Sequence, residues 1–315
     1  MISDVWSAHV RIPATSANLG AGFDCIGIAV DRGLSAFVEA DDDAHSDSPP
    51  IAMRRQGMLA SLAIAPEDDM LYAGFDAACA QAGRSVPAHL SFVVDSDIPV
   101  GRGLGSSSAA LVAGASLADG ALSLALGPIE IAQLCTRIEG HPDNVGPAVF
   151  GGAILAVPDN SADASRWEFA TLLVHPDLAF IFIIPPFTIE TTAARAILPR
   201  EVSHDIAVRA AGKSAALAHG LVTGDGALLR IALDDVLHVP YRAALVPGLA
   251  NVRDAACAAG AYGATLSGSG PTIVAIAPQE FAERVADAMK LRWSTDGVET
   301  DLFVQRRPAM EPVLF

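Results

Sequence analysis

The sequence predicts a folded protein of mixed helix and sheet, and three observations support this. Strand-like apolar runs alternate with Ala-rich, helix-like runs in both halves of the chain. Apolar residues make up 51% of the chain and charged residues only 18%, which is typical of a globular protein. At 315 residues the chain is long enough to form two domains with sizeable cores. The interleaving favours an α+β or an α/β sandwich.

In the first half, proline and glycine mark the ends of several predicted elements. Pro13 should end a short first strand, because proline cannot donate to a β-ladder, and a loop of small residues follows at 14–24. Gly83 should end a helix, and Pro128 fits the first turn of another. The predicted strands are 10–12, 25–30, 90–94 and 151–157, and the predicted helices are 71–82, 109–122 and 128–138.

The second half opens on a strongly apolar strand at 178–184, which Pro185 and Pro186 terminate. A polar segment at 159–165 precedes it and is a candidate linker between the two halves. Further strands are predicted at 272–277 and 300–305, and helices at 202–219, 226–237, 252–259 and 279–292.

Charge and cysteine content exclude several classes of function. The net charge is −16 and the chain has only two lysines, whereas nucleic acids and anionic membranes require a basic face. No apolar run reaches the ~18 residues of a membrane span, and the N-terminal residues lack the features of an export signal. Four cysteines without metal or redox spacing indicate buried thiols in a reducing compartment. We therefore expect a cytoplasmic protein with no nucleic-acid or membrane partner.

The most informative segment is the Gly- and Ser-rich stretch at 97–110, between a predicted strand and a predicted helix. A glycine turn that opens into a helix presents free N–H groups and a positive dipole end, which together suit a phosphate group. Ser106 stands where a dinucleotide fingerprint would need its third glycine, and no lysine completes a P-loop. The alternative interpretation is an ordinary flexible loop with a serine N-cap.

Two further loops with many small and polar residues lie at 13–24 and 266–272. Together with this stretch, they resemble the three signature motifs of the GHMP kinases. That superfamily includes galactokinase, homoserine kinase, mevalonate kinase and phosphomevalonate kinase. The middle loop is similar to their nucleotide motif Pro-x-x-x-Gly-Leu-Gly-Ser-Ser-Ala. The resemblance implies an α+β fold with an N-terminal domain like ribosomal protein S5 domain 2 (1–164) and a ferredoxin-like C-terminal domain (165–315). It also implies that the ATP phosphates bind at Pro99, Gly101, Arg102, Gly103, Leu104, Gly105, Ser106, Ser107, Ser108 and Ala109.

Four further segments resemble the homoserine kinases within this superfamily: 11–24, 139–147, 191–195 and 240–242. This resemblance implies transfer of the γ-phosphoryl group of ATP to the side-chain hydroxyl of L-homoserine. It assigns catalytic roles to Asn144, Glu139 and Ser107, and places Mg²⁺ on Ser107 and Glu139, whose oxygens are suitable ligands. The implied substrate-binding residues are Asn18, Asp24, His141, Thr191, Arg195, Arg242 and Gly268.

Several alternatives stay open at this point. Asp68 and Asp69 stand where the family often has an asparagine linked to the adenine site, and Arg102 is either a cation for phosphate or an exposed side chain. Either His141 acts as a general base for the substrate hydroxyl, or Asn144 orients that hydroxyl and no strong base is needed. Another small-alcohol kinase, such as one for threonine, and a nucleotide-binding regulator are the alternative functions. ATP and L-homoserine are the expected small-molecule partners, and a homodimer is a further expectation.

Overall fold

The computed structural model describes residues 6–40, 51–160, 166–309 and 313–314. The strands of this part of the chain are β1 Ser7–Asn18, β2 Gly22–Ala40, β3 Ile51–Gly57, β4 Leu90–Ser96, β5 Ala153–Pro158, β6 Trp167–Leu172, β7 Leu178–Ile184, β8 Gly263–Leu266, β9 Ile273–Pro278, β10 Asp301–Gln305 and β11 Val313–Leu314. Its α-helices are α1 Met70–Gln81, α2 Ser106–Leu122, α3 Pro128–Glu139, α4 Val145–Phe150, α5 Thr191–Ala196, α6 His204–Thr223, α7 Gly226–Ala232, α8 Val239–Arg242, α9 Leu249–Ala258 and α10 Ala282–Thr295. None of these helices has the length and apolarity that a bilayer crossing requires.

The first sheet has the strand order β11-β1-β2-β4-β3, and β5 and β6 extend it from β2. The predicted end of the first strand at Pro13 is wrong, because β1 continues to Asn18 and pairs with β2 throughout. The register shifts between Pro13 and Ala14, where the partner changes from Gly33 to Val30. A proline is tolerated inside a sheet at such a bulge, since the disrupted ladder does not need its missing N–H.

Helices α1 and α2 pack closely against each other, with α2 against β1 and β2. Two glycines make this approach feasible. A Cβ atom on Gly114 would lie 1.8 Å from the Leu71 carbonyl oxygen, and one on Gly74 would lie 2.0 Å from that of Leu111. Helix α2 begins within the Gly- and Ser-rich stretch at 97–110, which we term the phosphate loop after its predicted ligand. The contact between α1 and α2 therefore holds this loop in place.

The second sheet has the order β10-β7-β9-β8 with antiparallel neighbours. Its strands and helices follow the β-α-β-β-α-β sequence of a ferredoxin-like fold. Strand β7 is buried along its whole length because each face serves a different core. Phe180 and Phe182 pack in the core of the first sheet, while Ile181 and Ile183 pack against α9 and α10. This strand therefore joins the two halves of the molecule.

Element type was predicted better than element boundary. The strand at 178–184 is confirmed as β7, and the helices at 71–82 and 128–138 lie within one residue of α1 and α3 at each end. The predicted helix 226–237 is too long, since α7 ends at Ala232. The short elements α4, α5, α8, β3, β6 and β8 were not predicted.

The predicted domain boundary between residues 164 and 165 lies outside the described residues and stays a prediction. Strand β6 pairs with β5 in the first sheet, and β7 begins the second. Within the described residues, the chain therefore passes from one sheet to the other between Leu172 and Leu178.

We predict that Gly114→Ala lowers the free energy of unfolding by about 3 kcal/mol, at the upper end of overpacking costs, because the new Cβ meets a backbone carbonyl that cannot turn away. Denaturant unfolding measures the change. Gly212→Ala in α6 is the matched control: nothing lies within 4 Å of its Cβ position, so it should gain about 0.5–1 kcal/mol from helix propensity. Equal stability of Gly114→Ala and the wild type would contradict the close helix approach.

Candidate active site

The phosphate loop ends at the N-terminus of α2. Gly105 precedes the helix in the left-handed conformation (φ 67°). The backbone N–H groups of Ser106, Ser107 and Ser108 lie in the first turn, where an α-helix has no internal acceptor for them. They line one cleft together with Gly101, Gly103 and Gly105. This end of the cleft is suited to an anion.

The C-terminal part of β1, which was predicted as a loop, and the third loop, at 266–272, hold the phosphate loop through contacts to backbone carbonyls. Gly103 lies so close to the third loop that a Cβ would be 2.2 Å from the Ser267 carbonyl oxygen. The Ser267 hydroxyl donates to the Gly103 carbonyl at 2.6 Å, and the Thr15 N–H donates to the Leu104 carbonyl at 3.1 Å. The amide of Asn18 donates to the Gly268 carbonyl at 3.0 Å and accepts from the Asp24 N–H at 2.9 Å. Three segments that are distant in sequence therefore form one wall of the cleft.

Glu139, the last residue of α3, lies beside the phosphate loop. The hydroxyls of Ser107 and Ser108 both donate to its Oε1 at 2.9 Å. Helix α3 ends here because Gly140 adopts a left-handed conformation (φ 87°), which turns the chain into the His141–Asn144 segment. The result is a group of hard oxygen ligands next to the anion-binding end of the cleft.

A buried network follows Glu139. His141 Nδ1 lies 2.6 Å from Asp143 Oδ1, which also accepts from the backbone N–H of Asn144 at 3.0 Å. The Asn144 Oδ1 accepts from the Thr15 hydroxyl at 2.8 Å. Burial disfavours the imidazolium, but the charge and hydrogen bond of Asp143 outweigh this cost and raise the pKa of His141. Burial likewise opposes ionisation of Asp143, yet His141 holds the pKa of its carboxyl below the usual range.

The opposite wall of the cleft carries two arginines. Arg195 in α5 makes a bidentate pair with Asp24, at 2.7 and 3.1 Å. Burial opposes its charge, but the hydrogen bonds and charge of Asp24 raise the pKa of Arg195. Arg242 is only 2% exposed, and its Nε donates to the Ala194 carbonyl at 3.0 Å. Burial, followed by the charge of Arg195, lowers the pKa of Arg242.

Asp24, His141 and Asp143 also have the spacing of a metal-binding group, with potential ligand atoms within 4.8 Å of one another. Asp24, however, is paired with Arg195, and Asp143 is paired with His141. A metal here would have to displace a guanidinium and break the histidine contact. The arrangement fits two ion pairs better than a metal centre.

The cleft brings together most of the predicted site residues. Its lining includes Asn18, Gly101, Gly103, Gly105, Ser106, Ser107, Ser108, Glu139, His141, Asn144, Thr191, Arg195, Arg242 and Gly268. Asp24 does not belong to this lining, and it contacts the lining through its ion pair with Arg195.

Four predicted phosphate-loop residues, namely Pro99, Arg102, Leu104 and Ala109, do not belong to this lining. Leu104 and Ala109 are buried in the core beneath the loop. Arg102 is turned toward the second half of the chain, where it donates to the Pro186 carbonyl at 2.9 Å.

Comparison with known proteins agrees with this geometry. The chain matches the family models of the GHMP kinases N terminal domain over residues 69–152 and of the GHMP kinases C terminal over residues 217–295. Homoserine kinase of Synechococcus sp. is 40% identical over 293 residues, which cover 92% of each chain. Homoserine kinase of Picosynechococcus sp. is 38% identical, with 93% of this chain and 94% of that one covered. The chain belongs to the homoserine kinase family.

Solved structures agree with this assignment. The crystal structure of homoserine kinase from Cytophaga hutchinsonii has a TM-score of 0.83 and 28% identity, and the match covers 100% of this chain and 98% of that one. A mevalonate kinase structure, at 13% identity and a TM-score of 0.68, shares the fold. The predicted α+β, two-domain GHMP fold is confirmed, and the chain is a kinase.

A second, mostly apolar cavity of about 200 Å³ adjoins the phosphate loop of this homoserine kinase family member. Its lining shares Ser106 and Ser107 with the first cleft and includes Leu59, Leu62, Ile64, Met70, Val100 and Ala110. Asp69, where the family often has asparagine, caps α1 through the Leu71 N–H at 2.9 Å and pairs with Arg55 at 2.8 Å. The aspartate at this position therefore has a structural role.

Sequence reasoning missed two polar residues, one in the His141–Asn144 segment and one beside Arg242. Asp143 lies inside the segment at 139–147 but was assigned no role, although it orients both His141 and Asn144. His238 carries no motif of its own, and its contacts with Gly20 and Arg242 depend on the tertiary fold.

We predict that Asp143→Asn lowers the pKa of His141 from above to below about 6.5, because burial persists when the carboxylate charge is removed. Histidine NMR titration measures this value, with His141→Gln to assign the resonance and the other histidines as internal controls. An unchanged His141 titration would contradict the ion pair.

The same pair has a defined effect on stability. Because the pKa of His141 is raised, its contribution is fully present below about pH 6.5 and is lost as the pH rises through the raised value. Because the pKa of Asp143 is lowered, its contribution is present above about pH 3.9 and is lost as the pH falls through the lowered value. Asp143→Asn should remove the carboxylate's contribution and reverse that of His141, whose burial then makes the free energy of unfolding fall as the pH drops through about 6.5. Denaturant unfolding at several pH values measures both changes.

Proposed function

We propose that this protein transfers the γ-phosphoryl group of ATP to the side-chain hydroxyl of L-homoserine. The relatives that support this bear the name homoserine kinase. The observation that carries the proposal is a single cleft with an anion-binding helix end beside Glu139 on one side and Arg195 and Arg242 on the other. Phosphoryl transfer depends mainly on alignment and charge neutralisation, which such a cleft can supply.

The phosphate side is built from neutral and anionic groups. The N–H groups at the start of α2 would hold the phosphate oxygens, and Ser107 and Glu139 would hold Mg²⁺. Bound there, Mg²⁺ would neutralise charge that develops between the phosphates. The chain has a net charge of −16, so this local binding must overcome an unfavourable long-range field.

The substrate side fits an amino acid. A carboxylate matches the planar guanidinium groups of Arg195 and Arg242, and an ammonium group matches Asp24. Arg195 and Asp24 are paired with each other. A zwitterion can separate them without leaving either charge unpaired, whereas a ligand with one charge cannot. Thr191 and His141 line the same cleft.

The hydroxyl would be oriented by Asn144, whose side chain is fixed by Thr15 and Asp143. An amide cannot take a proton near neutral pH, but a loose transition state needs little help from a base. We therefore infer that alignment, rather than a strong general base, drives this step.

The nucleotide base would occupy the second cavity, which is apolar and adjoins the phosphate loop at Ser106 and Ser107. Its apolar side chains can cover the planar ring of the base, and the phosphate chain of the nucleotide would extend from there to the start of α2. Action in the cytoplasm and assembly into a homodimer remain predictions from the sequence.

Purified protein with ATP and Mg²⁺ should use L-homoserine with a higher kcat/KM than L-threonine, L-serine, mevalonate or galactose. ADP release measures each rate. A threonine preference would favour the related small-alcohol kinase, and a methyl group is worth only ~1–3 kcal/mol in such a choice. Absence of turnover with every acceptor, despite nucleotide binding, would favour a regulator instead.

Glu139→Gln should lower kcat by about 100-fold or more, the order expected when one preorganised electrostatic group is lost, with a much smaller change in homoserine KM. The coupled ADP assay at saturating Mg²⁺ measures both values. Glu130→Gln, an exposed position on the same helix, is the matched control and should leave them unchanged. A Glu139→Gln variant with wild-type kcat would remove Glu139 from the site.

A further inference from the structure

His238 is a fully buried residue (0% exposed) with polar contacts on both ring nitrogens. Its Nδ1 lies 3.1 Å from Nη1 of Arg242, and its Nε2 lies 3.1 Å from the carbonyl oxygen of Gly20. The ring therefore stands between the arginine of the candidate carboxylate site and the loop that leads to Asp24.

These contacts determine the protonation of the ring. A guanidinium can only donate, so Nδ1 of His238 must be the acceptor and carries no proton. The remaining proton is on Nε2, where the Gly20 carbonyl accepts it. Burial, which the nearby charge of Asp235 only partly offsets, lowers the pKa of His238 and agrees with this neutral form.

The ring is held in place from the other directions as well. It stacks on Phe23 with centroids 4.9 Å apart, and the guanidinium carbon of Arg242 lies 5.5 Å from the Phe23 centroid. Asp235 accepts the backbone N–H groups of His238 at 2.7 Å and of Val239 at 2.8 Å, which fixes the start of α8. A side chain held this firmly can restrict its neighbour to one orientation.

We propose that His238 is a positioning residue that accepts a hydrogen bond from Arg242 and thereby directs its guanidinium toward the substrate carboxylate. This inference rests on the proposed function, because it takes Arg242 as a carboxylate ligand. The guanidinium has five N–H groups. Its Nε donates to Ala194, and its Nη1 contacts His238 and donates to the Gly268 carbonyl at 3.5 Å, which together fix the guanidinium plane. This leaves Nη2 for a ligand in the cleft that Arg242 lines.

Two isosteric variants separate the two ring contacts. In His238→Asn the amide oxygen replaces Nδ1 and can still accept from Arg242, whereas in His238→Gln the amide nitrogen replaces Nε2 and keeps only the Gly20 contact. The readout is the ratio of kcat/KM for L-homoserine to that for 3-aminopropan-1-ol, which lacks the carboxylate. A general loss of stability affects both substrates and cancels in this ratio.

We expect His238→Gln to lower this ratio about tenfold, through homoserine KM rather than kcat, which is the order of effect when a charged group loses a hydrogen bond. His238→Asn should keep a ratio close to that of the wild type. Val285→Ala, a core substitution beneath the second sheet, is the stability control and should not change the ratio. Equal ratios for the Asn and Gln variants would overturn the proposal.

A double-mutant cycle with Arg242→Gln tests the route of the effect. Arg242→Gln should collapse the ratio, and His238→Gln should then cost nothing further, because coupled residues are not additive. Additive losses would mean that His238 acts by another path, and the positioning role would be wrong while the proposed function stands. A ratio unaffected by Arg242→Gln would refute the carboxylate clamp itself, and this inference with it.

Discussion

The site depends on the close backbone approach of Gly103 to the third loop. No other residue fits there, since a Cβ would lie 2.2 Å from the Ser267 carbonyl oxygen. The contact fixes the phosphate loop to a segment of the second sheet, and β7 packs one face in each of the two cores. The Gly103 contact and strand β7 hold the two halves of the chain together. The N-terminal end of the α2 dipole and the arginines of the second half therefore face the same cleft.

Part of the charge at this cleft is held in two ion pairs, Arg195 with Asp24 and His141 with Asp143. Arg242 and Glu139 hydrogen-bond to neutral groups, and the chain as a whole is strongly acidic. Uncompensated cations would bind any anion, and uncompensated carboxylates would repel ATP. Because these groups are paired, local dipoles and a few directed donors select the ligand. This arrangement contributes to specificity more than to affinity.

The sequence predicted the parts of the fold that local rules control. Helix α1 was found from apolar content and Gly83, and β7 from its uninterrupted apolar run. The strand end predicted at Pro13 was wrong because a bulge accommodates this proline, and the bulge depends on the partner strand. Phosphate-loop residues were found through a motif, but Arg102 turned toward Pro186 because the fold brings a distant carbonyl near it. His238 and Gly20 are 218 positions apart, so their contact has no local signal.

The pairing of Arg195 with Asp24 has a consequence for binding. In the proposed complex, a substrate carboxylate and ammonium would replace the two halves of an existing ion pair, so that one protein pair would become two protein–ligand pairs and no charge would be left unpaired. The desolvation cost of the arginine and the aspartate is already met in the folded protein, which limits what a zwitterion must offset. In this proposal, a substrate that lacks either charge would leave one protein group partly buried and unpaired, and only the wrong ligand would bear this penalty. Discrimination would then arise from the cost of an incomplete exchange, without requiring that the correct substrate bind tightly.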